Sequence, residues 1–294
     1  MTLTDVAGVR VGHWTDAEAR TGCTVVLLPE GTVASGEVRG GAPATRELEL
    51  LDPQRLVRHI DAVALSGGSA FGLAVADGVM GWLAEQGRGF PTTAGPVPIV
   101  VGLSLFDLLV GDPAVRPGAA EGRLACDAAT SGPVLLGGVG AGTGATVGKV
   151  RGRDRARPGG LGGASVLHEG LVVSALVAVN AFGDVDLGGD APERAVDPAA
   201  VARGITSAFT PEPPPGEHTT IGVVVTNAVL DKVGCLVVAQ GAHDGLARAL
   251  VPTHTRVDGD AFVAAATGAV EANVDVVRHL GLVAVERAVR SAVR

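Results

Sequence analysis

The sequence predicts a mixed α/β (α+β) protein with layered sheets. Three observations carry that expectation. Short apolar, β-branched runs alternate with helical stretches of small residues along the whole chain. Glycine fills 44 of 294 positions without a collagen period, which signals tight turns and close backbone packing. Hydrophobic residues make up 47% and charged residues only 18%, enough for an extensive core and too little charge for a disordered or coiled-coil chain. No internal repeat is visible, and residues 1–294 are expected to form a single domain.

Taken in order, strands are expected at 9–11, 23–28, 62–65, 97–101, 134–136, 171–179, 221–225 and 236–238. Each is rich in Val, Ile or Leu and usually bounded by Gly, Pro or Asp. Residues 73–85 predict a buried helix whose Ala and Gly positions allow close packing. Residues 267–294 predict one or two long helices, with Val270, Val274, Val277 and Leu280 on one face. Between them, 211–217 (PEPPPGE) excludes helix and central strand. Such a segment is ordinarily an interdomain linker. Here an apolar strand starts at once behind it, so Thr219 and Thr220 stand at a strand head directly after extended chain.

Several function classes are disfavoured. The net charge of −8 argues against nucleic acid as the main partner, and the one basic run, 149–157 (KVRGRDRAR), reads as a solvated loop. The longest uncharged stretch, 128–148, is too rich in Gly and Thr for a membrane helix. The first residues lack a basic region followed by an apolar core, so no secretory leader is expected and the cytoplasm is the expected compartment. Cys23, Cys126 and Cys235 are odd in number and follow no CxxC spacing, so reduced, mostly buried thiols are expected. No cofactor or metal is expected. The Gly-rich stretch 137–149 fails the Walker A pattern at Thr143 and Val150, and meets a dinucleotide fingerprint only loosely at Gly140, Gly142 and Ala145. No HExxH spacing occurs, and 67–71 (GGSAF) lacks the last glycine of a GxSxG elbow.

Rare residue types mark the candidates. The 23 basic residues include only two lysines, Lys149 and Lys232. A lysine in a Gly-dense turn is either a surface residue or a compact, tunable ammonium that arginine cannot replace. Asn180 ends an apolar run, where it is either a turn residue or an amide aimed at a developing oxyanion. Asp258 and Asp260 flank Gly259, as a turn signal or as paired carboxylates that orient a nucleophile and an ammonium.

Together the residues carry a resemblance. TDVAGVRVGHWTD near the start, GGAPATRE at 40–47, ALSGGSAFGL at 64–73, VGAGTGATVGK at 139–149, VNAFGDV at 179–185, TTIGVVVTNA at 219–228 and DGDAFVAAATG at 258–268 follow one another nearly end to end. In that order they resemble the DmpA-type family of self-cleaving peptidases, which includes aminopeptidases acting on L-, D- and β-amino acid amides and nylon-oligomer hydrolases. The resemblance implies a layered αββα fold, similar in plan to N-terminal-nucleophile hydrolases but distinct in connectivity. It further implies cleavage between His218 and Thr219 into an α chain 1–218 and a β chain 219–294, with Thr219 as nucleophile. The family's cation and amide match Lys149 and Asn180, and its acidic pair matches Asp258 and Asp260. A small peptide or amide substrate and a homotetramer are implied on the same basis.

These residue types suit that chemistry. A Thr hydroxyl is a weak nucleophile, and a free α-amine on the same residue, with a reference pKa of about 7.7–8.0, can take its proton. The sequence departs from the family at residue 218, His where members usually carry Asn or Gly, and in having no Tyr where some members place one beside the substrate. The imidazole at 218 is either a steric burden on the acyl shift or a proton donor to the leaving amine. An uncleaved relative that binds a small amide, and an acyltransferase, are the alternative functions; an intact chain with bound ligand would favour the first, and acyl-donor consumption only with an amine acceptor the second.

Overall fold

The computed structural model describes residues 2–187, 197–209 and 217–293; of the Pro-rich segment 211–217, all but Glu217 lies outside the described residues. In chain order come β1 (Arg10–Asp16), β2 (Thr21–Leu27), β3 (Val33–Val38), β4 (Thr45–Arg46), β5 (Ala62–Ser66) and β6 (Val100–Ser104). A short ribbon of β7 (Thr146–Val147) and β8 (Arg157–Pro158) follows. The remaining strands are β9 (Gly160–His168), β10 (Leu171–Asn180), β11 (Asp184–Val185), β12 (Thr219–Ala228), β13 (Leu250–Val251) and β14 (Ala261–Val270). The α-helices are α1 (Val75–Ala84), α2 (Ala119–Asp127), α3 (Pro198–Phe209), α4 (Lys232–Ala249) and α5 (Val274–Ser291).

One five-stranded sheet has the order β1-β2-β5-β6-β4 and the other β3-β14-β12-β10-β9. Their inner faces share one buried cluster, in which Val26, Val63, Leu65 and Val101 meet Leu176, Ile221, Val223 and Val263. Helices α1 and α2 cover the outside of the first sheet, with Val75, Val79 and Leu83 packed among Val25, Leu27 and Ala64. Helices α4 and α5 cover the second, with Val238, Leu246 and Val285 packed among Val173, Val177 and Val224. The layers are therefore αββα. Strand β12 shows why: Ile221, Val223 and Val225 point to the sheet–sheet core and Val224 to the helices, so both faces are apolar.

Several expected elements shift. Residues 236–238 lie inside α4, not in a strand, because Asp231 caps the helix by accepting from the Gly234 N–H at 2.7 Å and the apolar run becomes one buried stripe. Residues 134–136 belong to no strand. The C-terminal helix begins at Val274 behind an Asn273 cap, and the residues up to Val270 complete β14 instead. Strands β3, β9 and β14 are rich in Gly and Ala, which have weak strand propensity, and the pattern of β-branched residues missed them. The three cysteines are free and buried, and burial pushes each thiol up to about 12.

Small residues set the layer spacing. A Cβ on Gly162 of β9 would lie 1.9 Å from the Ala288 carbonyl oxygen of α5, whereas a Cβ on Gly81 of α1 meets nothing within 4 Å. Gly162→Ala should therefore lower the unfolding free energy by about 1–3 kcal/mol through overpacking. Gly81→Ala should raise it by about 0.5–1 kcal/mol through helix propensity. Chemical denaturation of the two variants checks the opposite signs.

Candidate active site

Strand pairing assembles the site. Antiparallel pairing of β10 with β12 puts Asn180 directly opposite Thr219. Parallel pairing of β12 with β14 starts at Ile221 and Ala261, and a bridge between His218 and Asp258 extends it backwards. The head of β12 is thus flanked by the end of β10 on one side and by 258–260 on the other. Thr219, Asn180, His218, Asp258 and Asp260 are all buried.

The Thr219 hydroxyl donates to the carbonyl oxygen of His218 at 2.5 Å. A C=O bond is about 1.23 Å long, so this hydroxyl lies against the peptide group that joins residues 218 and 219. The Gly259 N–H donates to the same oxygen at 2.8 Å. Only glycine fits there, because a Cβ on residue 259 would lie 2.6 Å from the Thr219 Oγ1.

Both carboxylates are tied down. Asp260 accepts from the Thr220 N–H through Oδ1 at 2.8 Å. Its Oδ2 accepts from the His254 N–H at 3.0 Å, His254 Nδ1 at 2.9 Å and Thr253 Oγ1 at 3.2 Å. Asp258 accepts from the Phe182 N–H at 3.2 Å, and from the N–H and hydroxyl of Thr255 at 3.0 and 2.5 Å. Burial first, and then the charge of Asp260, pushes the Asp258 carboxyl up to about 6, against the opposing pull of these donors.

Lys149 follows Gly148, whose φ of +81° lies in the left-handed region that favours glycine. Its Nζ donates to Asn180 Oδ1 at 2.8 Å. Burial lowers the ammonium to about 7; Asp258 opposes the shift and Arg153 adds to it. Asn180 Oδ1 also accepts from the Thr146 N–H at 3.0 Å, and Nδ2 donates to the Phe106 carbonyl at 2.7 Å. The His218 ring stands 5.3 Å from Phe182, centroid to centroid. Burial, then Lys149 and Arg153, lowers it to about 3, so it is neutral at pH 7.

All six residues singled out from the sequence therefore meet at one place. The chain's other lysine and its two other asparagines have structural work. Lys232 Nζ donates to the carbonyls of Leu50, Asp52, Arg55 and Val57, Asn273 caps α5, and Asn227 ties β12 to Gly170 and Val172. Sequence reasoning missed Thr146, Phe106, His254 and Thr255. The THT run at 253–255, just ahead of the acidic pair, was the available signal for the last two. Among the described residues, no helix is long and apolar enough to cross a membrane.

Comparison with known proteins gives the family and the fold. The family model described as Peptidase family S58 matches residues 2–294. An uncharacterized aminopeptidase of Mycobacterium leprae is 46% identical over 295 residues, covering 92% of this chain and 80% of its own. A 6-aminohexanoate-oligomer endohydrolase of Kocuria sp. is 30% identical over 276 residues, covering 91% of this chain and 75% of its own. In fold, the chain is similar to the L-aminopeptidase D-Ala-esterase/amidase of Ochrobactrum anthropi, described as a new variant of the Ntn hydrolase fold. That match has a TM-score of 0.73 at 22% identity and covers 99% of this chain and 85% of the other. With a family model matched from residue 2 to residue 294, the chain belongs to peptidase family S58, the DmpA-type family that its motifs resemble.

Proposed function

We propose that this hydrolase of peptide or other linear amide bonds is self-processing, and that Thr219 serves first as the cleaving residue and then as an N-terminal nucleophile. The observation that carries the reading is the Thr219 hydroxyl seated on the His218 carbonyl, with the Gly259 N–H already donating to the oxygen that would become negative. In the first stage Thr219 Oγ attacks the carbonyl carbon of residue 218. The C–N bond breaks, the proton ends on the Thr219 nitrogen, and an ester joins residues 218 and 219. Water then hydrolyses the ester, leaving a carboxylate on residue 218 and a free α-amine on Thr219. This yields 1–218 and 219–294, and the resemblance extends the proposal to a tetramer of such cut protomers.

In turnover the α-amine takes the proton from Thr219 Oγ as it attacks the substrate amide, and passes it to the leaving amine. Water repeats the ester hydrolysis. One N–H of Asn180 is held by Phe106, and we assign the other to the substrate oxyanion. Lys149, docked on the same amide, favours negative charge at the carbonyl and disfavours a protonated α-amine beside it. Asp260 fixes the head of β12 through Thr220, and Asp258 holds the chain at Phe182 and Thr255. His218 is neutral above about pH 3, so it lacks the proton that a charged general acid needs. Its part is steric.

Intact mass spectrometry of purified protein should show fragments of about 22 and about 7.5 kDa, in proportion to chain length, in place of one 29.2 kDa species. Thr219→Ala should stay whole and inactive. Thr219→Ser should keep some cleavage and hydrolysis, and His218→Asn should cleave at least as fast as wild type. A Thr219→Ala chain that still splits removes the nucleophile from the scheme.

The chain's two lysines make Lys149 readable by NMR. In protein labelled at the lysine side chains, the signal lost in Lys149→Arg should titrate near pH 7. Because the folded state gives up this proton earlier than the unfolded state, the group's contribution to stability should rise with pH from about 7 towards 10.5 and be flat below. Lys149→Arg should cost most of the turnover, because a planar, permanently charged guanidinium cannot take the place of the compact ammonium.

A further inference from the structure

The basic run 149–157 is exposed at Arg151, Arg153 and Arg155, as a solvated loop should be, but it is not featureless. It walls a cavity of about 730 Å³ that reaches Lys149 and His218. Among the described residues, the lining carries Lys149, Arg151, Arg153, Arg155 and Arg203 against a single carboxylate, Asp197. Such a concentration of one sign, in a chain of net charge −8, focuses the field on anions. Arg151 is engaged by Asp184 at 3.0 Å and Arg203 by Asp197 at 3.5 Å. Arg153 is paired with Glu217. The Glu217 side chain is only 12% exposed, in a small cleft shared with Phe106, Thr146 and Lys149.

Glu217 lies on the acyl side of the bond joining residues 218 and 219. If Thr219 processes its own chain, the first acyl group offered to it is therefore the unit ending in Glu217 and His218, with its carboxylate on Arg153. We infer that Arg153 determines substrate specificity by holding a carboxylate on the acyl side of the scissile amide. Counted along the chain from the carbonyl carbon of residue 218 to the carboxyl carbon of Glu217, that carboxylate is about seven covalent bonds away. The substrate class is then a linear amide whose acyl part ends in an anion at that reach, as in an acidic dipeptidyl unit or a half-amide of suberic acid. The inference rests on the proposed function for its polarity, acyl side against leaving side. After cleavage Glu217 is no longer tethered to β12, and Arg153 is released to a substrate.

Two measurements separate this inference from the reading beneath it. The first compares the suberic acid mono-p-nitroanilide with its ω-carboxamide, which matches it in size without the charge. Wild-type kcat/KM should favour the acid at least about tenfold; Arg153→Gln should bring the ratio to about one, and Arg153→Lys should keep part of it. Hydrolysis of both anilides at equal rates, or a ratio unchanged in Arg153→Gln, overturns the inference and leaves the hydrolase reading intact. The second needs no turnover. Glu217→Ala leaves Arg153 unpaired whether or not the chain is cut, and acetate, the fragment removed, should bind and raise Tm where acetamide does not. The effect should vanish in Glu217→Ala with Arg153→Gln. Equal responses in the two variants overturn the carboxylate site, whereas acetate binding without hydrolysis of either anilide supports the site and sinks the nucleophile scheme instead.

Discussion

The parallel pairing of β12 with β14 is the constraint on which the rest of the site depends. Parallel neighbours need a crossover, and α4 supplies it, returning the chain so that β14 starts beside the start of β12. The turn into β14 therefore arrives level with residues 218 and 219, and Gly259 comes close enough to donate to the carbonyl between them. A shift of this register by one residue would turn the side chains of β14 to the wrong layer and separate Asp260 from Thr220. On the opposite edge of β12, the long apolar ladder to β10 sets Asn180 with the same firmness.

Burial supplies the electrostatics. Asp258 and Lys149 both sit where water is scarce, and loss of hydration moves the acid upward and the base downward, to about 6 and about 7. Two groups that in water titrate on opposite sides of neutrality thus converge on it. Asp260 is equally buried, and four donors converge on its two oxygens from Thr220, Thr253 and both the backbone and ring of His254. The neutral His218 ring, packed on Phe182, is buried beside them.

Much of this was legible in the sequence, and the gaps have physical causes. Strands β2, β5, β10 and β12 are buried on both faces and contain short runs rich in Val, Ile and Leu. Strands β9 and β14 press helices so closely that Gly and Ala replace the residues that advertise a strand, as Gly162 against Ala288 shows. Lys149 stood out because lysine is scarce, and Asp258 and Asp260 because two acids flank a glycine. The turn lies at Arg256 and Val257, just ahead of the acidic pair, and Asp260 holds the head of β12 through Thr220. His254 was invisible because its partner is fixed by a bend, not by a helical or strand period. The basic run is exposed at Arg151, Arg153 and Arg155, as a solvated loop should be, but the pairing of Arg153 with Glu217 could not be read from sequence because only folding brings the two together.

The position of β12 in the middle of its sheet has one more consequence. A chain severed ahead of Thr219 would have its new amino terminus inside the protein, on a residue with only 4% of its surface exposed. Acetylating enzymes and exopeptidases, which need a free end, could not reach it. Nor could the pieces drift apart, because β12 is hydrogen-bonded to β10 of one piece and to β14 of its own. The two polypeptides would form an obligate heterodimer, joined without a covalent link and assembled while still one molecule. Once unfolded and diluted they would have to meet again by a second-order encounter, so the active form would be reachable in practice only from the uncut precursor.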